Sequence, residues 1–241
     1  MEKITRRQLL LRTAFTGSAS LLTSLFAAGP AEAQTNPLLP DSPNPQTYTY
    51  FNEAEIAFLN AALARLIPFD DLGPGAREAG GAYFIDQQMA GPFGHAERWY
   101  MQGPWQEGTQ QQGYQLKMTP AQLYRAGIRA VDAYCRAQHA GKTFAQLAAA
   151  DQDDILHGLE GGKIELADAP AQEFFNMLWQ NTHESYLADP IYGGNRNFAG
   201  WKLIGFPGPR YNYVQEITQY GKSYKQPVVG LGGRAGTPRK G

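Results

Sequence analysis

The chain has 241 residues, 43% of them hydrophobic and 18% charged, which excludes a disordered chain and allows one domain with a sizeable core. A formal net charge of −1 argues against nucleic acid as a partner. The single cysteine, Cys135, excludes an intrachain disulfide and a cysteine-held iron–sulfur cluster.

Arg6 and Arg7 stand in Thr5-Arg6-Arg7-Gln8-Leu9-Leu10-Leu11, ahead of a charge-free run over 13–31. Ala31-Glu32-Ala33 then offers a small-residue cleavage site between Ala33 and Gln34. The paired arginines predict export by the twin-arginine route. The run is nearly long enough to span a membrane, but Thr13, Thr16, Ser18, Ser20, Gly29 and Pro30 make it a poor anchor. Residues 34–50 hold Pro37, Pro40, Pro43 and Pro45 and read as a linker.

The fold proper is expected from 51. Asn52 with Glu55 forms a capping box, and Phe51 is placed to staple onto Ile56. Ile56, Leu59, Leu63, Leu66 and Ile67 fall on one helical face, and Pro68 stops the helix. A second helix is expected over 76–89. Residues 91–118 carry five glycines together with Phe93, Trp99, Tyr100, Trp105 and Tyr114. So long a loop is usually functional or disordered, and the aromatics oppose disorder. It reads either as part of a docking surface or as a segment packed on itself.

Thr119, Pro120 and Gln122 give the strongest helix start, with Leu123, Gly127, Ala130, Val131 and Tyr134 as the buried face and Gly141 as the stop. Thr143 with Gln146, and Asp151 with Asp154, predict two shorter helices. Asp168 is expected to cap a last helix through Phe174, Phe175, Leu178 and Tyr186, ending before Asp189-Pro190. No strand pattern matches these in strength, so the fold class is mostly α: one helical domain over 51–225 with long irregular loops. Residues 226–241 read as a Gly- and Pro-containing tail, following a Tyr-rich stretch with Tyr211, Tyr213, Tyr220 and Tyr224.

Residues 189–208, DPIYGGNRNFAGWKLIGFPG, have neither helical nor strand periodicity. Five glycines and four aromatics, Tyr192, Phe198, Trp201 and Phe206, predict an ordered irregular surface packed against something, either as a long loop folded over its own core or as a docking surface for a partner. The stretch resembles the signature of the gluconate 2-dehydrogenase subunit 3 family, and the likeness continues upstream through 65–94 and 114–135. Asn197, His183 and Ser185 depart from the pattern of that family. The resemblance implies a small, non-catalytic subunit of a periplasmic FAD-dependent sugar or sugar-acid dehydrogenase. It implies a large FAD-containing partner, a multi-haem cytochrome c partner where one is present, and membrane association only through the complex. It also implies that this chain carries the export signal and supports the flavoprotein's maturation and stability. The partner interface is expected at Tyr192, Gly193, Gly194, Asn195, Arg196, Phe198, Trp201 and Lys202, with Trp99 and Trp105 from the earlier loop.

Cofactor and catalytic motifs fail one by one. No Cys-x-x-Cys-His is present for haem attachment. Gly230-Leu231-Gly232-Gly233-Arg234-Ala235 matches a loose dinucleotide fingerprint, but too few residues follow for a βαβ unit. His183-Glu184 lacks a second histidine at the zinc-protease spacing, since Leu187 stands there. Asp70-Asp71 and Asp153-Asp154 suit a turn and a helix first turn better than catalysis. The expectation is therefore no catalytic, cofactor or metal residue in this chain. Two alternatives remain: a free-standing enzyme using His183, Glu184, Asp189 and Arg196, and a small-ligand binding module using Trp99, Trp105 and Trp201.

Overall fold

The computed structural model describes residues 47–106 and 108–234. The signal sequence and cleavage site (Arg6, Arg7, Ala33, Gln34), most of the expected linker and residues 235–241 lie outside them. The described residues form α1 (Glu53–Leu66), α2 (Gly81–Ala90), α3 (Pro120–Gln138), α4 (Ala149–Glu160), α5 (Ala171–Leu187) and a short α6 (Ala199–Ile204). A hairpin of two-residue strands follows, β1 (Val229–Gly230) and β2 (Gly233–Arg234). The helical reading of the sequence stands.

Both strong N-terminal signals form as predicted. Asn52 accepts from the Glu55 N–H while the Glu55 carboxylate accepts from the Asn52 N–H. Thr119 and Gln122 make the same reciprocal pair at α3. Each satisfies two backbone donors that the first turn cannot satisfy itself. The other starts differ from expectation. α2 begins at Gly81, because Gly80 adopts a left-handed conformation (φ +85°) and turns 76–80 into a loop. α4 starts at Ala149, so Asp151 lies inside its first turn instead of capping it. α5 starts after Pro170, so Asp168 lies outside it. Thr143 and Gln146 bound only a 3₁₀ turn, Phe144–Gln146.

α5 is the central helix, packing against α1, α2, α3, α4 and α6. The middle of the core is aromatic: Phe58 lies against Phe144 and Phe174, and Tyr124 stands edge-on to Phe174 and Phe51. Gly127 of α3 faces the Phe174 ring with no room for a Cβ, which brings α3 close to α5.

The chain also departs from the expected linker boundary. Residues 47–50 pack on the domain, held by the fully buried Asp86 of α2. One Asp86 carboxylate oxygen accepts from the N–H groups of Tyr50 and Phe51, at 3.0 and 2.9 Å, and the other from Thr49 N–H at 2.8 Å. Such charge-assisted bonds are the strong ones. Tyr50 then donates its hydroxyl to Ala121 O, and the Arg125 guanidinium lies over its ring.

Candidate functional site

The glycine- and aromatic-rich stretch wraps the C-terminal end of α5 as a strap. A helix end leaves its last carbonyls without intrahelical donors, and the strap supplies them. The Trp201 indole N–H donates to Leu187 O at 2.6 Å, and the Asn195 amide donates to Ala188 O at 2.8 Å. Two glycines, each immediately before one of these contact residues, allow the approach. A Cβ at Gly194 would collide with Ser185 O, and one at Gly200 with Tyr186 O. The last three residues of α5 and its cap Ala188 are thus met by four strap residues.

The strap reaches this shape at a conformational cost. Asn195, Asn197 and Phe198 all have positive φ, at 47°, 54° and 58°. Asparagine tolerates this region, whereas a bulky aromatic is a true outlier there. The cost is offset locally. Asn195 Oδ1 accepts from Gly200 N–H at 2.9 Å, and the Phe198 ring stacks on Trp201 at 5.5 Å. Asp189 opens the strap: its Oδ1 accepts from Ile191 N–H and its Oδ2 from Leu231 N–H at 2.6 Å. The hairpin therefore folds back onto the strap, with Val229 N–H donating to Pro207 O. Residues 229–231 of the expected Gly- and Pro-containing tail are thus held on the strap. Between these anchors the 209–228 excursion exposes Tyr211, Val214, Ile217 and Tyr220.

The expected interface residues divide into two faces. Trp201 is 5% exposed and Phe198 4%, and Asn195 and Gly194 are buried with them. The picture of Trp201 and Phe198 as displayed anchors is corrected: their rings fill the seam between strap and helix. Tyr192 and Lys202 face outward, and Gly193 sits half-buried over the Tyr83 ring. The outer face also carries Ile191, Ile204 and Phe206, none of which was among the expected interface residues. Tyr192 and Ile204 are 54% and 60% exposed, so this is open apolar surface of the kind that partners cover.

Trp99 and Trp105 part company. Trp99 is half-buried, edge-on to Phe93 and tilted against Tyr114, so that loop packs partly on its own domain. Trp105 is exposed. The four residues considered for a free-standing enzyme are each engaged separately. His183 uses Nδ1 toward Trp179 O, Glu184 accepts from Gln180 and Asn181, Asp189 holds the strap, and Arg196 lies against Gly80. The Gly230–Arg234 run is the hairpin, not a strand-to-helix phosphate turn. Among the described residues no group of three His, Cys, Asp or Glu side chains is placed to hold a metal ion, and no helix is long and apolar enough to cross a membrane.

A family model described as gluconate 2-dehydrogenase subunit 3 matches residues 53–208, from the first residue of α1 to the last glycine of the strap. The chain belongs to that family. No curated protein and no solved structure matches it.

Proposed function

We propose that this chain is the non-catalytic small subunit of a periplasmic, FAD-dependent dehydrogenase complex acting on gluconate or a related sugar. It carries the twin-arginine signal on behalf of the flavoprotein subunit and supports that subunit's maturation, export and stability. The observation that carries this reading is membership of a family named for subunit 3 of a dehydrogenase, over residues that include the whole strap. The use of the polar side chains supports it. Asn195, Trp201 and Asp189, in the most distinctive stretch of the chain, are engaged in holding backbone. They shape a surface and leave the CH–OH oxidation, and the FAD it requires, to the large subunit. A haem c subunit, where present, takes the electrons onward and brings the complex to the membrane.

Export gives the test. In cells carrying Arg6→Lys with Arg7→Lys, both this chain and its flavoprotein are expected in the cytoplasmic fraction. A flavoprotein exported at its normal level in those cells would refute the carrier role.

A further inference from the structure

Arg196 is a half-buried cation of the strap that pairs with no carboxylate among the described residues. Five other arginines of the described residues have carboxylates, Arg65 with Asp153 at 2.7 Å, Arg77 with Glu78, Arg125 with Glu55, Arg129 with Asp168 and Arg136 with Asp132, and Arg98 stands exposed in solvent. Arg210 is satisfied by the Tyr224 hydroxyl and Pro227 O. Arg196 has neither. Its backbone N–H donates to Ala79 O, which lays the side chain across Gly80 at the start of α2. Burial pulls its pKa below the ordinary arginine value, and its electrostatic neighbours are the phenols of Tyr48 and Tyr83.

The surroundings add positive potential. The first turn of α2 contains no acidic residue, and Gly80 gives it no side-chain cap, so the positive end of that helix is uncompensated beside the guanidinium. A guanidinium carries five donors, and partly desolvating them without an acceptor is unfavourable. A partner that brings the acceptor removes this cost. The same strap presents Ile191 and Tyr192 to solvent, and exposed apolar surface of this kind is stabilised by covering with protein rather than by a small ion.

Building on the proposed function, we infer that Arg196 receives an aspartate or glutamate side chain of the dehydrogenase subunit, within an interface whose apolar rim is Ile191 and Tyr192. The guanidinium's fixed fork suits a carboxylate held by two parallel bonds. In this arrangement the strap has two tasks: its inner face closes α5, and its outer face presents one charge at a defined position.

Arg196→Met tests the inference, because an unbranched side chain of similar reach replaces the guanidinium over Gly80 and removes the charge. The full chain is co-expressed with the dehydrogenase subunit of its own complex, and the affinity of the purified partners is measured across a salt series. Arg196→Met is expected to weaken association about 30-fold or more, equivalent to about 2 kcal/mol, and to flatten its salt dependence. Melting of the variant chain alone should be unchanged or raised. Wild-type affinity in the variant overturns the inference while leaving the subunit reading intact. Weakened association with a matching fall in melting temperature assigns Arg196 to the chain's own fold and overturns it as well. Stabilisation of the isolated wild-type chain by phosphate or gluconate, abolished in Arg196→Met, assigns the guanidinium to a small anion instead. A wild-type chain that binds no dehydrogenase subunit refutes the subunit reading itself, independently of any variant.

Discussion

Trp201→Ala measures how far the strap belongs to the fold. The side chain is 5% exposed, stacks on Phe198 at 5.5 Å and meets Phe206 edge-on at 4.9 Å. Removing a buried Trp of this kind costs about 3–5 kcal/mol. The substitution also deprives Leu187 O of the indole N–H at 2.6 Å, adding about 1 kcal/mol or more for an orphaned acceptor. The total of roughly 4–6 kcal/mol is a large share of the 5–15 kcal/mol typical of a domain. At about 2–4 °C per kcal/mol for a chain of this size, melting should fall by roughly 8–24 °C. Trp201→Phe keeps the ring stack and loses the donor, so its fall should be about 2–8 °C, the equivalent of about 1–2 kcal/mol. Thermal unfolding of the purified chain followed by circular dichroism reads both. A Trp201→Ala chain melting within about 2 °C of wild type would refute the packing argument and return Trp201 to the surface.

Gly200→Ala isolates the close approach of strap and helix. Alanine in a helix interior is ordinarily favoured over glycine by about 1 kcal/mol, but here its Cβ would occupy the space of Tyr186 O. A net destabilisation of about 1–3 kcal/mol is expected, and a variant at least as stable as wild type in urea unfolding would show that the contact is not rigid. Cys135 provides a pH signature. Burial pushes its thiol from the ordinary 9.0 up to about 12, so the folded chain keeps a proton that the unfolded chain releases. That contribution to stability is complete below pH 9 and is lost as the pH rises toward 12. Native Cys135 should therefore resist alkylation at pH 8 and react fully in denaturant; equal rates in both would refute its burial.

The parts of this fold legible in the sequence are those written within four residues. The boxes at Asn52–Glu55 and Thr119–Gln122 are complete in the local chain, and both form. Starts that depend on something further away were missed. The Gly80 turn is tied into the rest of the fold, where Arg196 N–H reaches Ala79 O across more than a hundred residues. Asp86 looks like any acid in a helix until the N–H groups of Thr49, Tyr50 and Phe51 arrive from the preceding segment. The strap was recognisable as an ordered surface from its composition, but composition carries no inside or outside. Which of Tyr192, Phe198 and Trp201 turns inward is decided by the unsatisfied carbonyls of α5, which no pattern within 189–208 records.

The bond from Leu231 N–H to Asp189 spans 42 residues, and that separation has a meaning in time. A ribosome adding about 5–20 residues per second takes roughly 2–8 s to cover it. Until then the strap lacks the hairpin that holds its first residue, whatever the helices before it have achieved. A nascent or prematurely ended chain therefore shows an unfinished version of this surface, and the finished one certifies that translation has passed Leu231.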